Sequence, residues 1–330
     1  MRLKTAFKLL VLAVLLTALW LAWALWTPLR LPEPKLVLLK PGWSSKRIAA
    51  ELKANGVIRD SRAFLLYHYA MKTKSLKAGE YRFEGYASAR DVHDKLVRGE
   101  VFVHTVRVPE GFNMFEIGKA VEAAGLGSAQ EFIDLAKSQV QLVKDVDPQA
   151  TTLEGYLFPD TYGFTRAQSM QDIVSTMVRR FRDEAANMGI HGDVHRIVTL
   201  ASIVEKETAA AEERPIVASV YENRLKIKMA LDADPSVIYA ALLAGRYQRT
   251  IHQSDLQYDS RYNTYKYPGL PPGPIANPGR ASLDAAMNPA ETDYLFFVSD
   301  NHGRHRFSQT LEEHSKNVAA YRRAVAAANR

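Results

Sequence analysis

The chain has 330 residues and a formal net charge of +7, long enough for two or more cores. It holds no cysteine, which excludes a disulfide framework, a thiolate metal site and a lipidated-cysteine anchor. Three of the 43 basic residues, Arg2, Lys4 and Lys8, precede the first apolar run, so the remainder is only mildly basic; no basic stretch with interleaved aromatics points to nucleic acid.

Residues 9–26 carry no charge and close with Trp20, Trp23 and Trp26, a pattern that suits one membrane span ending in an interfacial aromatic belt. Ala22-Trp23-Ala24 has the form of a signal-peptidase site, but the apolar run is longer than a usual signal core and continues in tryptophans past it, which favours a retained helix. By the positive-inside rule the stub of residues 1–8 faces the cytoplasm and everything beyond Thr27 lies outside, in a bacterium the cell-wall compartment. Pro28, Pro32 and Pro34 predict a stiff linker over residues 27–35.

From residue 36 the chain reads as a small α+β module to about residue 105. Residues 36–39 predict a strand, and residues 38–58 and 107–127 repeat one another at a constant offset. Gly42 aligns with Gly111, Trp43 with Phe112, Ile48 with Ile117, Leu52 with Val121 and Gly56 with Gly125. Each copy reads as strand, glycine turn, polar cap, short amphipathic helix and glycine stop. Between the copies, residues 79–83 predict a strand, Ser88 caps a helix ending near Gly99, and residues 101–108 alternate as another strand. The first copy resembles the glycan-binding LysM fold; a mere spacer module is the competing reading.

Residues 106–330 predict an α+β domain. Helix is expected over 171–188, over one or more segments within 194–229, and over an exposed basic stretch at 312–330. Residues 294–299 and 305–307 predict a hairpin about Asn301-His302-Gly303. The loops at 153–164 and 262–280 are rich in glycine, proline and tyrosine, and long loops of this kind commonly carry function.

Glu205, in the segment 201–211, stands out. On a continuous helix its neighbours three and four positions away are Ala201, Ser202, Thr208 and Ala209, none charged, and Lys206 is turned about 100° away. Ile197, Leu200, Val204 and Ala211 predict burial on one side of that helix, so the acid borders a buried stripe among small residues where a large ligand could approach. Aromatic loops about a lone acid suit a carbohydrate groove. A second acid is not evident: Glu207 diverges from Glu205 by about 200° on a helix, and Asp234 or Glu154 could join only through folding. His302 and His305 lack a third ligand, and there is no His-Glu-x-x-His, Walker loop or Gly-x-Ser-x-Gly elbow, so neither metal nor cofactor is expected.

The segments Leu-Glu-Gly-Tyr-Leu-Phe-Pro-Asp-Thr-Tyr from residue 153, Leu-Ala-Ser-Ile-Val-Glu-Lys-Glu-Thr from 200, Glu-Asn-Arg-Leu from 222, Asp-Ala-Asp-Pro-Ser-Val-Ile-Tyr from 232, Tyr-Asn-Thr-Tyr from 262 and Gly-Leu-Pro-Pro-Gly-Pro-Ile-Ala-Asn-Pro-Gly from 269 resemble the MltG/YceG-like endolytic peptidoglycan transglycosylases of bacterial inner membranes. The resemblance spans nearly the whole chain. It implies a lyase that cleaves the β-1,4 bond between MurNAc and GlcNAc within nascent strands and leaves 1,6-anhydro ends, with Glu205 acting first as acid and then as base. It further implies penicillin-binding synthases as partners and a role in ending glycan elongation. Glu154, Tyr162, Asn223, Asp234, Tyr262, Asn263 and Tyr265, the polar and aromatic members of the matched segments, are the expected substrate-binding set. A hydrolytic muramidase and a non-catalytic wall-binding anchor are the alternatives.

Overall fold

The computed structural model describes residues 2–71 and 75–328, a mixed α+β chain. In order, the elements are α1 (Arg2–Trp26), β1 (Leu29–Leu39), α2 (Ser45–Ala54), α3 (Ser61–Ala70), β2 (Gly79–Ala87), α4 (Ala89–Arg98), β3 (His104–Arg107), α5 (Met114–Ala123), α6 (Ala129–Ser138), β4 (Thr161–Phe164), α7 (Met170–Met188), α8 (Val194–Glu207), α9 (Arg214–Lys226), α10 (Asp234–Leu243), α11 (Gln253–Leu256), α12 (Arg280–Met287), β5 (Phe296–Ser299), β6 (His305–Ser308) and α13 (Leu311–Ala328). The strands pair as β1–β2, β3–β4 and β5–β6.

Two compact units divide the chain: Met1–Thr105 with Gly163–Ser169, and Val106–Tyr162 with Met170–Arg330. In the first, β1 and β2 form an antiparallel ladder from Leu29 opposite Ala87 to Leu39 opposite Gly79, with a register shift between Leu31 and Lys35. The expected proline linker is therefore largely strand. Pro32 and Pro34 fall in the irregular stretch of a two-stranded sheet, where the missing N–H groups break no continuous ladder. Val37, Leu39, Ile48, Leu52, Phe64, Tyr81 and Leu96 form its core, joined by Ala24 and Leu25 from the last turns of α1. Ser88 and Asp91 build a capping box at the start of α4, and Gly99 closes the helix in the left-handed conformation.

In the second unit α8 is buried all round rather than on one side: every residue from Val198 to Val204 is inaccessible. The reason is that α9, α10 and α12 pack on it from different directions. The helix also stops earlier than its sequence suggests. Thr208 is extended, with φ −137° and ψ 135°, and its hydroxyl accepts the Ala210 N–H and donates to Glu213. Thr208, Ala209 and Ala211 are thus not helical neighbours of Glu205. β5 and β6 form the expected hairpin, with Asn301 and Gly303 at positive φ in its turn.

Candidate active site

Glu205 emerges in the last turn of the buried helix α8, with its side chain 4% exposed. A cation does meet it, contrary to the sequence expectation. Because the chain breaks at Thr208 and restarts as α9, Arg214 returns to the end of α8, and its Nη2 donates to Glu205 Oε1 at 2.9 Å. Glu205 Oε2 accepts the N–H of Gly279, which precedes α12, at 2.9 Å. Both oxygens therefore act as acceptors, one from a guanidinium and one from a helix N-terminus, the donors that best match a carboxylate. Arg214 is itself 9% exposed and keeps its Nε buried without a partner among the described residues. Lys206 turns away and donates to the carbonyl of Gly111.

A second carboxyl group that sequence reasoning missed stands beside this pair. Glu110 Oε2 lies 3.7 Å from the same Arg214 Nη2. Burial of the carboxyl, followed by the charge of Glu205, raises its pKa above the ordinary glutamate value, with Arg214 opposing. Two glycines make this crowding possible. Gly111, at φ +77°, lies so close to Glu205 that an added Cβ would stand 3.4 Å from its Cγ; a Cβ on Gly279 would stand 1.9 Å from Glu110 Oε1.

Behind the acids, Asn277 binds three loops together. Its side chain accepts the N–H groups of Gly155 and Leu157 and donates to the Phe112 carbonyl and to Glu154. Glu154, expected in the groove, is 1% exposed and accepts the first N–H of α5, from Met114. Burial raises its pKa to about 7. It is part of the frame that holds the Glu110–Gly111 turn.

The remaining expected groove residues separate. Asp234 accepts the Tyr265 hydroxyl at 2.7 Å, and both line a cleft of about 420 Å³ with Glu207, Tyr221 and Phe296. Asn263 is fully buried, donating to the carbonyls of Leu256 and Tyr258, and orders the loop that presents Tyr265. Tyr262 packs against Tyr239 with ring centroids 5.1 Å apart. Tyr162 is buried and donates to the Phe158 carbonyl. Asn223 donates to the carbonyls of Thr292 and Tyr294 and lines a different cleft. Glu154, Tyr162 and Asn263 are all buried, each hydrogen-bonded within the unit.

Three clefts share walls in this unit. One of about 370 Å³ contains Glu205; Glu110 and Arg214 also border a second of about 660 Å³ toward Arg280 and Asp284, and Glu207 also borders the cleft of Asp234 and Tyr265. Glu205 thus sits in the middle of a chain of depressions. Burial raises the Glu207 carboxyl to about 7, and it accepts the Tyr221 hydroxyl at 2.8 Å. Among the described residues no cluster of side chains could hold a metal ion.

The YceG-like family model matches residues 37–320, across both units. This chain belongs to the YceG-like family. A relative from Bacillus subtilis, named endolytic murein transglycosylase, is 34% identical over 302 residues, an alignment covering 85% of this chain and 82% of that protein. One of the same name from Streptococcus pneumoniae is 27% identical over 319 residues; there the chain spans 57% of the relative's length. A YceG-like protein of known crystal structure, from Listeria monocytogenes, shares 33% identity at a TM-score of 0.56, covering 86% of this chain and 99% of that one.

Proposed function

We propose that this YceG-like protein is an endolytic murein transglycosylase, a lyase that cuts the MurNAc–GlcNAc β-1,4 bond inside nascent strands and leaves 1,6-anhydro ends, so ending glycan elongation. The observation that carries the reading is the position of Glu205 in the middle of three adjoining clefts. Adjoining clefts on both sides of the reacting group suit the interior of a polymer, and the Tyr265 ring lines the cleft on one side. Named relatives support the same activity. Glu205 is the carboxyl group that moves protons. The C6 hydroxyl of MurNAc attacks C1 of the same sugar, which gains the effective molarity of an intramolecular reaction and needs no bound water.

The apolar helix α1 is long enough to cross a bilayer. We read it as a single inner-membrane span with the N-terminus cytoplasmic and both units periplasmic, following the basic residues at Arg2, Lys4 and Lys8. The first unit, with its β1–α2–α3–β2 order and glycine-aromatic turn at Gly42-Trp43, is read as a LysM-like glycan-binding module. Penicillin-binding synthases are the partners this reading implies.

Digestion of sacculi in ¹⁸O-water, followed by mass analysis, tests the chemistry. Anhydro-ended fragments without label at C1 are expected. Labelled reducing ends as the main product would show a hydrolase, and no fragments at all a binding protein.

A further inference from the structure

The helix α1 is long enough to cross a bilayer only if its last turns, on which the first unit packs, are counted. Residues 4–19 are all exposed; burial begins at Trp20 and Leu21, which pack on the core of the first unit, with Ala24 and Leu25 inside it. The uncharged run starts at Leu9. As a helix, residues 9–19 rise only about 17 Å, against a hydrocarbon core of about 30 Å. A crossing therefore needs the turns from Trp20 to Trp26, about 10 Å more. Whatever part of the unit flanks those turns stands at the level of the lipid headgroups or deeper.

That part is α3. Arg59, just before it, lies over Trp23 and donates to the carbonyls of Thr27 and Pro28, while Tyr67, near its other end, meets Trp26 edge-on with ring centroids 6.3 Å apart. Both ends of α3 are thus held by the last turns of α1. Its inner face carries the buried Ala63 and Phe64. Arg62, Leu66 and Tyr69, spaced four and three residues apart, form the opposite face, with Leu66 55% and Tyr69 61% exposed. On the neighbouring sheet Tyr86, 71% exposed, stands opposite Arg30 at the start of the β1–β2 ladder, where the chain has just left α1. Leucine and tyrosine side chains with arginines beside them are the composition of a surface that lies in a membrane interface.

We propose that the outer face of α3 and the Tyr86 edge form a lipid-binding surface. Leu66, Tyr69 and Tyr86 insert among the headgroups and upper acyl chains of the leaflet into which α1 emerges, and Arg30 and Arg62 meet the phosphates. The occupant is the phospholipid of the bilayer that α1 crosses, because this surface adjoins the exposed Trp23 and Trp26 of α1 itself. The proposal rests on reading α1 as a membrane span, and adds that the first unit is seated in the membrane rather than held above it.

Because the chain has no cysteine, nitroxide labels can be placed one at a time on the full-length protein in nanodiscs of phosphatidylethanolamine and phosphatidylglycerol. Oxygen concentrates in lipid and a nickel chelate stays in water, so the ratio of their relaxing effects reads depth. Labels at Leu66→Cys, Tyr69→Cys and Tyr86→Cys should each show a higher ratio than one at Lys40→Cys, an exposed position just past the far end of β1. Adding Leu66→Glu and Tyr69→Glu, both exposed changes, should lower the ratio at Tyr86→Cys. Ratios on α3 and at Tyr86 no higher than at Lys40 would overturn the proposal. Shielding of these labels from both reagents would overturn it too, since a protein would then cover the face. A label at Val14→Cys reads the span separately. A water-like ratio there would overturn α1 as a membrane helix and the proposal with it; a lipid-like ratio there with water-like ratios on α3 would overturn the lipid-binding surface alone.

Discussion

Arg214 and Glu205 are 9% and 4% exposed, and removing one partner of such a buried pair leaves a charge without compensation. Arg214→Gln should cost about 3–5 kcal/mol in denaturant unfolding. The double change with Glu205→Gln should recover part of that, because the stranded carboxylate is gone; strictly additive losses would show that the pair is not coupled. Helical spacing made Glu205 conspicuous as an acid with uncharged neighbours but hid its cation, because Arg214 is brought back by a chain break that such spacing cannot show. Glu110 was obscured in the same way: nothing in Pro109-Glu110-Gly111 says that the turn abuts the end of α8, and the spare signal was the mismatch with Pro41 in the repeat. A pH effect belongs at this scale as well. Burial lifts Glu154 from 4.5 to about 7. The folded state thus holds a proton that the unfolded chain has released, so this contribution is full below about pH 4.5 and is lost as pH rises through 7. Midpoints in denaturant at pH 5 and pH 8 should differ in that direction, and Glu154→Gln should narrow the gap.

Elements whose local signals agreed were legible. Ser88, Asp91 and Gly99 bracket α4 by capping chemistry alone, and Asn301 with Gly303 marks the β5–β6 hairpin. Elements decided by packing were not. α8 was expected to be amphipathic but is enclosed by α9, α10 and α12, and the two prolines of β1 suggested a linker where a bulged edge strand forms. At this scale α1 makes a prediction. Its residues Ala24 and Leu25 are buried in the first unit, with Trp20 and Leu21 packed against it, while Arg59 donates to the carbonyls of Thr27 and Pro28 and lies over Trp23. Removing residues 1–26 should destabilise that unit by about 2–3 kcal/mol more than removing residues 1–18, the order expected for losing one buried leucine and its neighbours. Equal unfolding midpoints for the two truncations would show that the terminal turns contribute nothing.

For the whole molecule, the adjoining clefts predict where strands are cut. On the proposed reading, clefts on both sides of Glu205 take a strand along its length rather than by its end. Size analysis early in a digest of long strands should therefore show internal fragments before disaccharides accumulate; disaccharides from the first minutes would mean that cleavage starts at termini. The anchor bears on the same question from another direction. Only Thr27 and Pro28 separate α1 from β1, and the last turns of the helix are already part of the first unit's core. With α1 in a bilayer there is no slack between membrane and protein. Tilting of the helix, about 20° on average for membrane spans, passes to the first unit as rotation instead of being absorbed by a joint. A thinner or thicker bilayer would then reorient that unit, making lipid composition a variable to which an enzyme on a flexible leash would be indifferent.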